Sequence, residues 1–325
     1  MKYYLFLYYT FFIVRGLLYI PLFPFYFLWI LPKVIIALRP QKEIHKFVDE
    51  RNLPEIKKYI LAGKNLDIRN TEGETALHRS LRNGYLNCAS LLVNSGATIN
   101  IQNRNGLTPL NLAALFNRKE IYDLLIKKGA KVDFLTSVLV NDVSLVREML
   151  EGGADPNIKY QTLSPLLHLA SHNGYYAIAK LLIKKGAKVN IERLGNTALT
   201  LAIEGGHLDV IELLIASGAD VNQKTKPDRS SPLHKAVSSG RLEIVSFLID
   251  RGAQVNVRDG FPTGNTPLHL AVLNGDSELS LLLLENGADP YMKNWLGGVT
   301  SIDLARQNYD LANVLLQHIM NRDSA

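Results

Sequence analysis

The sequence predicts an all-α solenoid of helix–turn–helix units with projecting hairpin loops, preceded by an apolar N-terminal membrane segment. Three observations carry this. The first is a short signature in Thr75-Ala76-Leu77-His78, Thr108-Pro109-Leu110-Asn111, Ser164-Pro165-Leu166, Thr197-Ala198-Leu199-Thr200, Ser231-Pro232-Leu233-His234 and Thr266-Pro267-Leu268-His269. Its second residues fall at 76, 109, 165, 198, 232 and 267, in steps of 33, 56, 33, 34 and 35. The second is a Gly-Ala pair that trails each signature, with its glycine at 96, 129, 153, 186, 218, 252 and 287. The third is the stretch PLFPFYFLWILPKVIIAL, residues 21–38, which carries one charge, Lys33, and three prolines.

The chain divides into an apolar segment, residues 1–40, and a repeat domain, residues 41–325, of about eight units. Within residues 1–40, residues 16–32 form a run of 17 uncharged residues. Extended to residue 38 the run reaches roughly 35 Å as a helix, enough for a bilayer core of about 30 Å. Tyr19, Tyr26 and Trp29 suit a membrane interface. Pro21, Pro24 and Pro32 favour a kinked or re-entrant path over a straight span. A signal peptide fits poorly, because the basic start is only Lys2 and the apolar run is too long. Lys33, Arg39, Lys42, Lys46, Arg51, Lys57 and Lys58 crowd the C-terminal flank, which places the repeats on the cytoplasmic side.

Residues 43–69 read as a degenerate first repeat with a polar first helix, bearing Glu43, His45, Lys46, Asp49, Glu50 and Arg51. In the full repeats, a Thr or Ser hydroxyl caps free backbone N–H groups and Pro fits the first helical position. A glycine turn such as Gly240 or Gly275 leads to a second helix with an apolar stripe, for example Val210, Ile211, Leu213 and Leu214. Gly-Ala ends that helix, Gly taking the left-handed C-terminal position. The 56-residue step marks a shortened repeat, 134–159, with helices around 134–140 and 143–150 and with the hairpin and capped turn lost. The array is expected to work as two blocks meeting there, roughly 43–133 and 134–320. Residues 294–320 keep Thr300-Ser301-Ile302-Asp303 and Ala305 and read as a C-terminal cap.

At these residues the chain resembles the ankyrin-repeat family, whose mark is a 33-residue period with T-P-L-H-x-A. The resemblance covers about residues 43–320 and implies a stack of units that share one continuous core. It also implies protein binding by loop tips and by the exposed face of the first helices. By position, the first-helix candidates are Arg82, Asn83, Leu115, Phe116, His172, Asn173, Glu204, Ser238, Ser239, Leu273 and Asn274. The two longest loops add Lys224, Lys226, Arg229, Arg258 and Phe261, a basic tip with an aromatic anchor.

Charge argues against nucleic acid. Residues 1–40 hold four basic and no acidic residues, so the rest of the +6 chain is nearly neutral. The single Cys88 excludes an internal disulfide and reads as a buried small hydrophobe. His78, His168, His234 and His269 fall in or beside the signature, where histidine bonds neighbouring backbone. His168 and His172 stand four apart, but no third metal ligand accompanies them. No Walker loop, no G-x-S-x-G elbow and no nucleophile–base constellation is present. The reading is therefore a membrane-tethered scaffold for an unknown protein partner, without catalysis, cofactor, metal or small-molecule substrate. The alternatives are a soluble effector exported into a host cell and a regulatory subunit of an enzyme carried by another chain.

Overall fold

A computed structural model describes residues 43–323 apart from residues 162 and 307. The expected membrane segment, residues 1–40, lies outside the described residues. Among the described residues, no helix is long and apolar enough to cross a membrane. They form eighteen α-helices in nine pairs, one pair more than the sequence count of about eight, and two isolated bridges rather than strands. The chain splits into two compact units after Ala97. The boundary expected near residue 134 is not there.

The first unit holds α1 (Glu43–Asp49), α2 (Leu53–Leu61), α3 (Ala76–Arg82) and α4 (Leu86–Asn94). Ile44, Val48, Ile56, Leu77, Leu81, Ala89 and Leu92 build its core. The first helix is less polar than the sequence suggested. His45 is buried, and its Nε2 bonds the Ile68 carbonyl at 3.0 Å. Cys88 is buried as expected, and burial pushes its thiol pKa up, away from thiolate chemistry.

The second unit runs through α5 (Pro109–Leu115), α6 (Lys119–Lys127), α7 (Phe134–Leu139), α8 (Val143–Glu151), α9 (Leu166–His172), α10 (Tyr176–Lys184) and α11 (Ala198–Gly205). It continues with α12 (Leu208–Ala216), α13 (Pro232–Ser238), α14 (Leu242–Asp250), α15 (Pro267–Leu273), α16 (Ser277–Glu285), α17 (Ser301–Ala305) and α18 (Tyr309–Asp323). The odd-numbered helices pack in succession from α5 to α17. The row crosses the shortened repeat without a break. Leu110, Leu135, Leu167, Leu199, Leu233 and Leu268 lie two residues after the caps of α5 to α15 and are all buried. The residues five after the cap, Ala113, Val138, Ala170, Ala202, Ala236 and Ala271, are buried too. Small side chains there let neighbouring helices approach.

The second helices from α4 to α16 end at Gly-Ala, as the sequence predicts. At α14, Gly252 takes φ 87°, its N–H bonds Ile249 O at 2.9 Å, and Ala253 N–H bonds Leu248 O at 2.9 Å. This six-to-one and five-to-two pair closes the helix, and only a residue tolerant of positive φ can form it.

Two details differ from the sequence reading. The frame of the third signature is one residue later than Ser164-Pro165-Leu166. Pro165 itself is the N-cap of α9 and makes no side-chain cap bond. The extra Leu167 then takes the core position, and His168 keeps the place of the signature histidine. The shortened repeat, moreover, has lost its hairpin but kept its capped turn. Asp133 caps α7, its carboxylate accepting from Thr136 N–H at 2.8 Å.

A ladder of asparagines clamps successive units. Asn190 Nδ2 donates to Gly218 O at 2.8 Å while its Oδ1 accepts from Asp220 N–H at 2.9 Å. Asn157, Asn222 and Asn256 grip the following Gly-Ala segments in the same way. Asp133 occupies this place in the shortened repeat and serves as a helix cap instead.

Candidate functional site

The signature first positions the candidate side chains. Thr75, Thr108, Thr197, Ser231, Thr266 and Thr300 each accept from the backbone N–H three residues on, and that third residue bonds back to the cap. In two repeats that third residue, His234 or His269, also reaches the next repeat. His234 Nδ1 accepts from Ser231 N–H and lies 2.7 Å from its hydroxyl, while Nε2 bonds Asn265 O at 3.0 Å. His269 repeats this with Thr266 and with Val299 O, at 2.8 and 3.1 Å. The neutral imidazole with its proton on Nε2 satisfies both sides.

Burial lowers the pKa of His45, His168, His234 and His269, partly offset by their carbonyl partners. His168 bonds Asn196 O at 3.3 Å, but its Nδ1 meets no partner among the described residues, because Pro165 brings neither hydroxyl nor N–H. His168 is buried and His172 exposed, so the pair does not converge on one exposed point. Among the described residues no cluster of three or more His, Cys, Asp or Glu could hold a metal ion.

The structure separates the candidate residues into groups. Leu115, Phe116, His172, Asn173, Glu204, Ser238, Ser239, Leu273 and Asn274 lie at the C-terminal ends of odd-numbered helices in the second unit. Because those helices pack in succession, these residues share one edge. Phe116 is 37% exposed and Leu273 56%, while Leu115 is half-buried. Asn173 Nδ2 donates to Leu169 O at 2.8 Å and Ser239 Oγ to Ala236 O at 2.8 Å, so both close their own helix ends. Glu204 pairs with Lys235 at 3.4 Å across adjacent units.

Arg82 and Asn83 belong to the first unit. Arg82 forms an ion pair with the buried Glu74, and a carboxylate so placed needs its counter-charge. Arg82 is therefore tied to stability whatever else it touches.

Lys224, Lys226, Arg229, Arg258 and Phe261 lie in loops that precede the N-terminal ends of α13 and α15. A seven-residue helix, roughly 10 Å long, separates them from the first group. Lys224 Nζ donates to Arg258 O at 2.9 Å, and Arg258 donates to Lys293 O at 3.0 Å. These two cations brace neighbouring loops. Lys226, Arg229 and Phe261 are exposed.

Sequence reasoning missed Val140, which is 40% exposed next to Phe116 in the row of helices. It also missed the half-buried Leu169, Leu201, Leu270 and Leu304, each four residues after its cap. Counting from the cap residue exposes this apolar line. Counting from the signature alone does not, because the frame slips at Pro165.

Comparison with known proteins agrees with this geometry. A family model described as ankyrin repeats (3 copies) matches residues 44–136, 134–225 and 222–294. A protein of Acanthamoeba polyphaga mimivirus named as an ankyrin repeat protein is 28% identical over 154 residues, 43% of this chain and 20% of the relative. The B-cell lymphoma 3 protein homolog of Mus musculus is 25% identical over 159 residues, 44% of this chain and 36% of the relative. A tyrosine-protein kinase of Hydra vulgaris is 33% identical over 95 residues, 28% of this chain and 12% of the relative. The chain thus spans between 12% and 36% of these relatives' lengths. Of the three, the mimivirus protein is named for its ankyrin repeats. The signature, the paired helices and the family match together establish that this chain belongs to the ankyrin-repeat family.

Proposed function

We propose that the chain is a non-catalytic docking scaffold, tethered to a membrane by residues 1–40 with its repeats on the cytoplasmic side. The partner binds the edge formed by the ends of the odd-numbered helices in the second unit. One observation carries the docking surface. Phe116, Val140 and Leu273 are exposed apolar side chains on helix ends where water would favour polar ones. The half-buried leucines beside them extend the apolar line, and Glu204, Lys235, His172 and Ser238 give it polar points for orientation. The tether rests on the uncharged run of residues 16–32 and on the cations that follow it.

The two parts are tested separately. Pull-down by the full chain is expected to fail for Phe116→Asp with Leu273→Asp, at unchanged helical content. Equal recovery by that variant counts against the docking edge. The full chain is expected to stay in the membrane pellet after carbonate washing, and its release would remove the tether.

A further inference from the structure

We propose that the last four hairpin tips of the array form a second docking edge, whose ligand is an anionic lipid surface. This edge is distinct from the helix-end surface and does not depend on the N-terminal tether.

Leu194, Pro227, Phe261 and Trp295 lie in the tips of four successive hairpins, 33, 34 and 34 residues apart. Leu194 is 76% exposed, Phe261 87% and Trp295 53%, and Leu296 beside Trp295 is exposed as well. The tips are held to one another. Lys226 N–H bonds Glu192 Oε1 at 2.9 Å, Gly260 N–H bonds Asp228 O at 2.5 Å, and Trp295 N–H bonds Thr263 O at 2.9 Å. Gly195 has no room for a Cβ against the Lys226 carbonyl, and Gly264 has none against the Trp295 indole. The apolar side chains are therefore carried on a braced row.

Tips of the earlier repeats are polar, with Glu72 and Asn105 near the turns. Ordinary loop composition does not account for the change.

Charge selects the ligand. The four tips and their approaches hold six basic residues, Arg193, Lys224, Lys226, Arg229, Arg258 and Lys293, against three acidic ones, Glu192, Asp228 and Asp259. Glu192 and Asp228 are exposed and Asp259 is half-buried, but all three carboxylates are engaged as acceptors within the row. Asp228 takes Ser230 Oγ at 2.8 Å, and Asp259 takes Asn265 N–H at 2.7 Å and Thr263 Oγ1 at 2.8 Å. Lys226, Arg229 and Lys293 are exposed. An excess of cations around exposed Leu, Phe and Trp matches a lipid interface, where aromatic rings sit among headgroups and basic side chains meet anionic ones. The apolar groups stand on separate turns, as points rather than one hollow. A bilayer receives such points directly, whereas a protein partner would need a matching pocket for each.

The test uses the full chain with Trp29→Phe, which leaves Trp295 as the sole tryptophan. Vesicles of phosphatidylcholine with and without phosphatidylserine carry brominated acyl chains. The expected result is a blue shift and quenching of Trp295 with the phosphatidylserine vesicles, much weaker with phosphatidylcholine alone. About 0.5 M salt, which shortens the screening length to roughly 4 Å, should reverse it. Adding Lys226→Ala and Arg229→Ala should weaken the effect about 20-fold or more at unchanged helical content, since each basic residue near the surface is worth roughly fivefold. Trp295 emission that ignores both kinds of vesicle, even when the chain pellets with them, would overturn the proposal and assign the edge to a protein partner. Equal quenching by both kinds would overturn its anionic character.

Discussion

His234 and His269 act as clips that join one helix cap to the next unit's loop carbonyl. The clip needs a neutral ring, because protonation would place a donor against the cap's own N–H. Burial lowers the pKa of these two and of His45 and His168 from the ordinary 6.5. The unfolded chain therefore binds more protons in the window between the lowered native pKa and about 6.5. Stability is complete above that window and falls as pH drops into it. Urea midpoints should decrease between pH 7.5 and 5.5, and the decrease should shrink in a His234→Asn, His269→Asn variant. The caps themselves are worth about 1 kcal/mol each. Thr266→Ala should cost roughly that, whereas Pro165→Thr should raise stability by a similar amount, about 2–4 °C in Tm, by giving His168 its missing partners. The signature made these residues legible, apart from two. His45 lacks the Thr-Pro-Leu prefix, and its role shows only in its reach to Ile68. Pro165 copies the signature in the wrong frame, since proline is as acceptable before a helix as at its first position.

At the scale of the element, each unit is fastened to the next by carboxamides as well as by core packing. Asn190→Ala removes two hydrogen bonds and should lower unfolding stability by about 1–2 kcal/mol in urea titrations, with Asn190→Asp losing less because the acceptor remains. The shortened repeat shows what replaces the ladder when the hairpin is missing. Asp133 stands four positions after Gly129, whereas Thr197 stands eleven after Gly186. Asp133 therefore arrives at the helix start and caps it. Asn111, in the histidine slot, donates to the Asp133 carboxylate at 2.7 Å and to Thr136 Oγ1 at 2.7 Å. It meets the cap of α7 because no hairpin carbonyl is there to receive it. The gap was legible in the 56-residue step. Survival of the cap was not, because an aspartate ending one repeat gives no sign that it starts the next.

For the whole molecule, repeat period, helix pairing and helix ends were readable, since each follows from local residues at fixed spacing. The division into compact units after Ala97 was not, because the missing hairpin at residue 134 leaves the packed row of odd-numbered helices intact. The candidate surface was half readable. Phe116 and Leu273 were among the candidates found by position, but Val140 was hidden by the shortened repeat. A partner on the helix-end edge must come close to residues 116, 140 and 273 together, and not to the exposed Ile126 or Tyr176 on the even-numbered helices. Site-specific photo-crosslinking from these five positions in the full chain tests this most directly. The account predicts the same adduct from positions 116, 140 and 273, and none from 126 or 176. Adducts confined to 126 or 176 would contradict it.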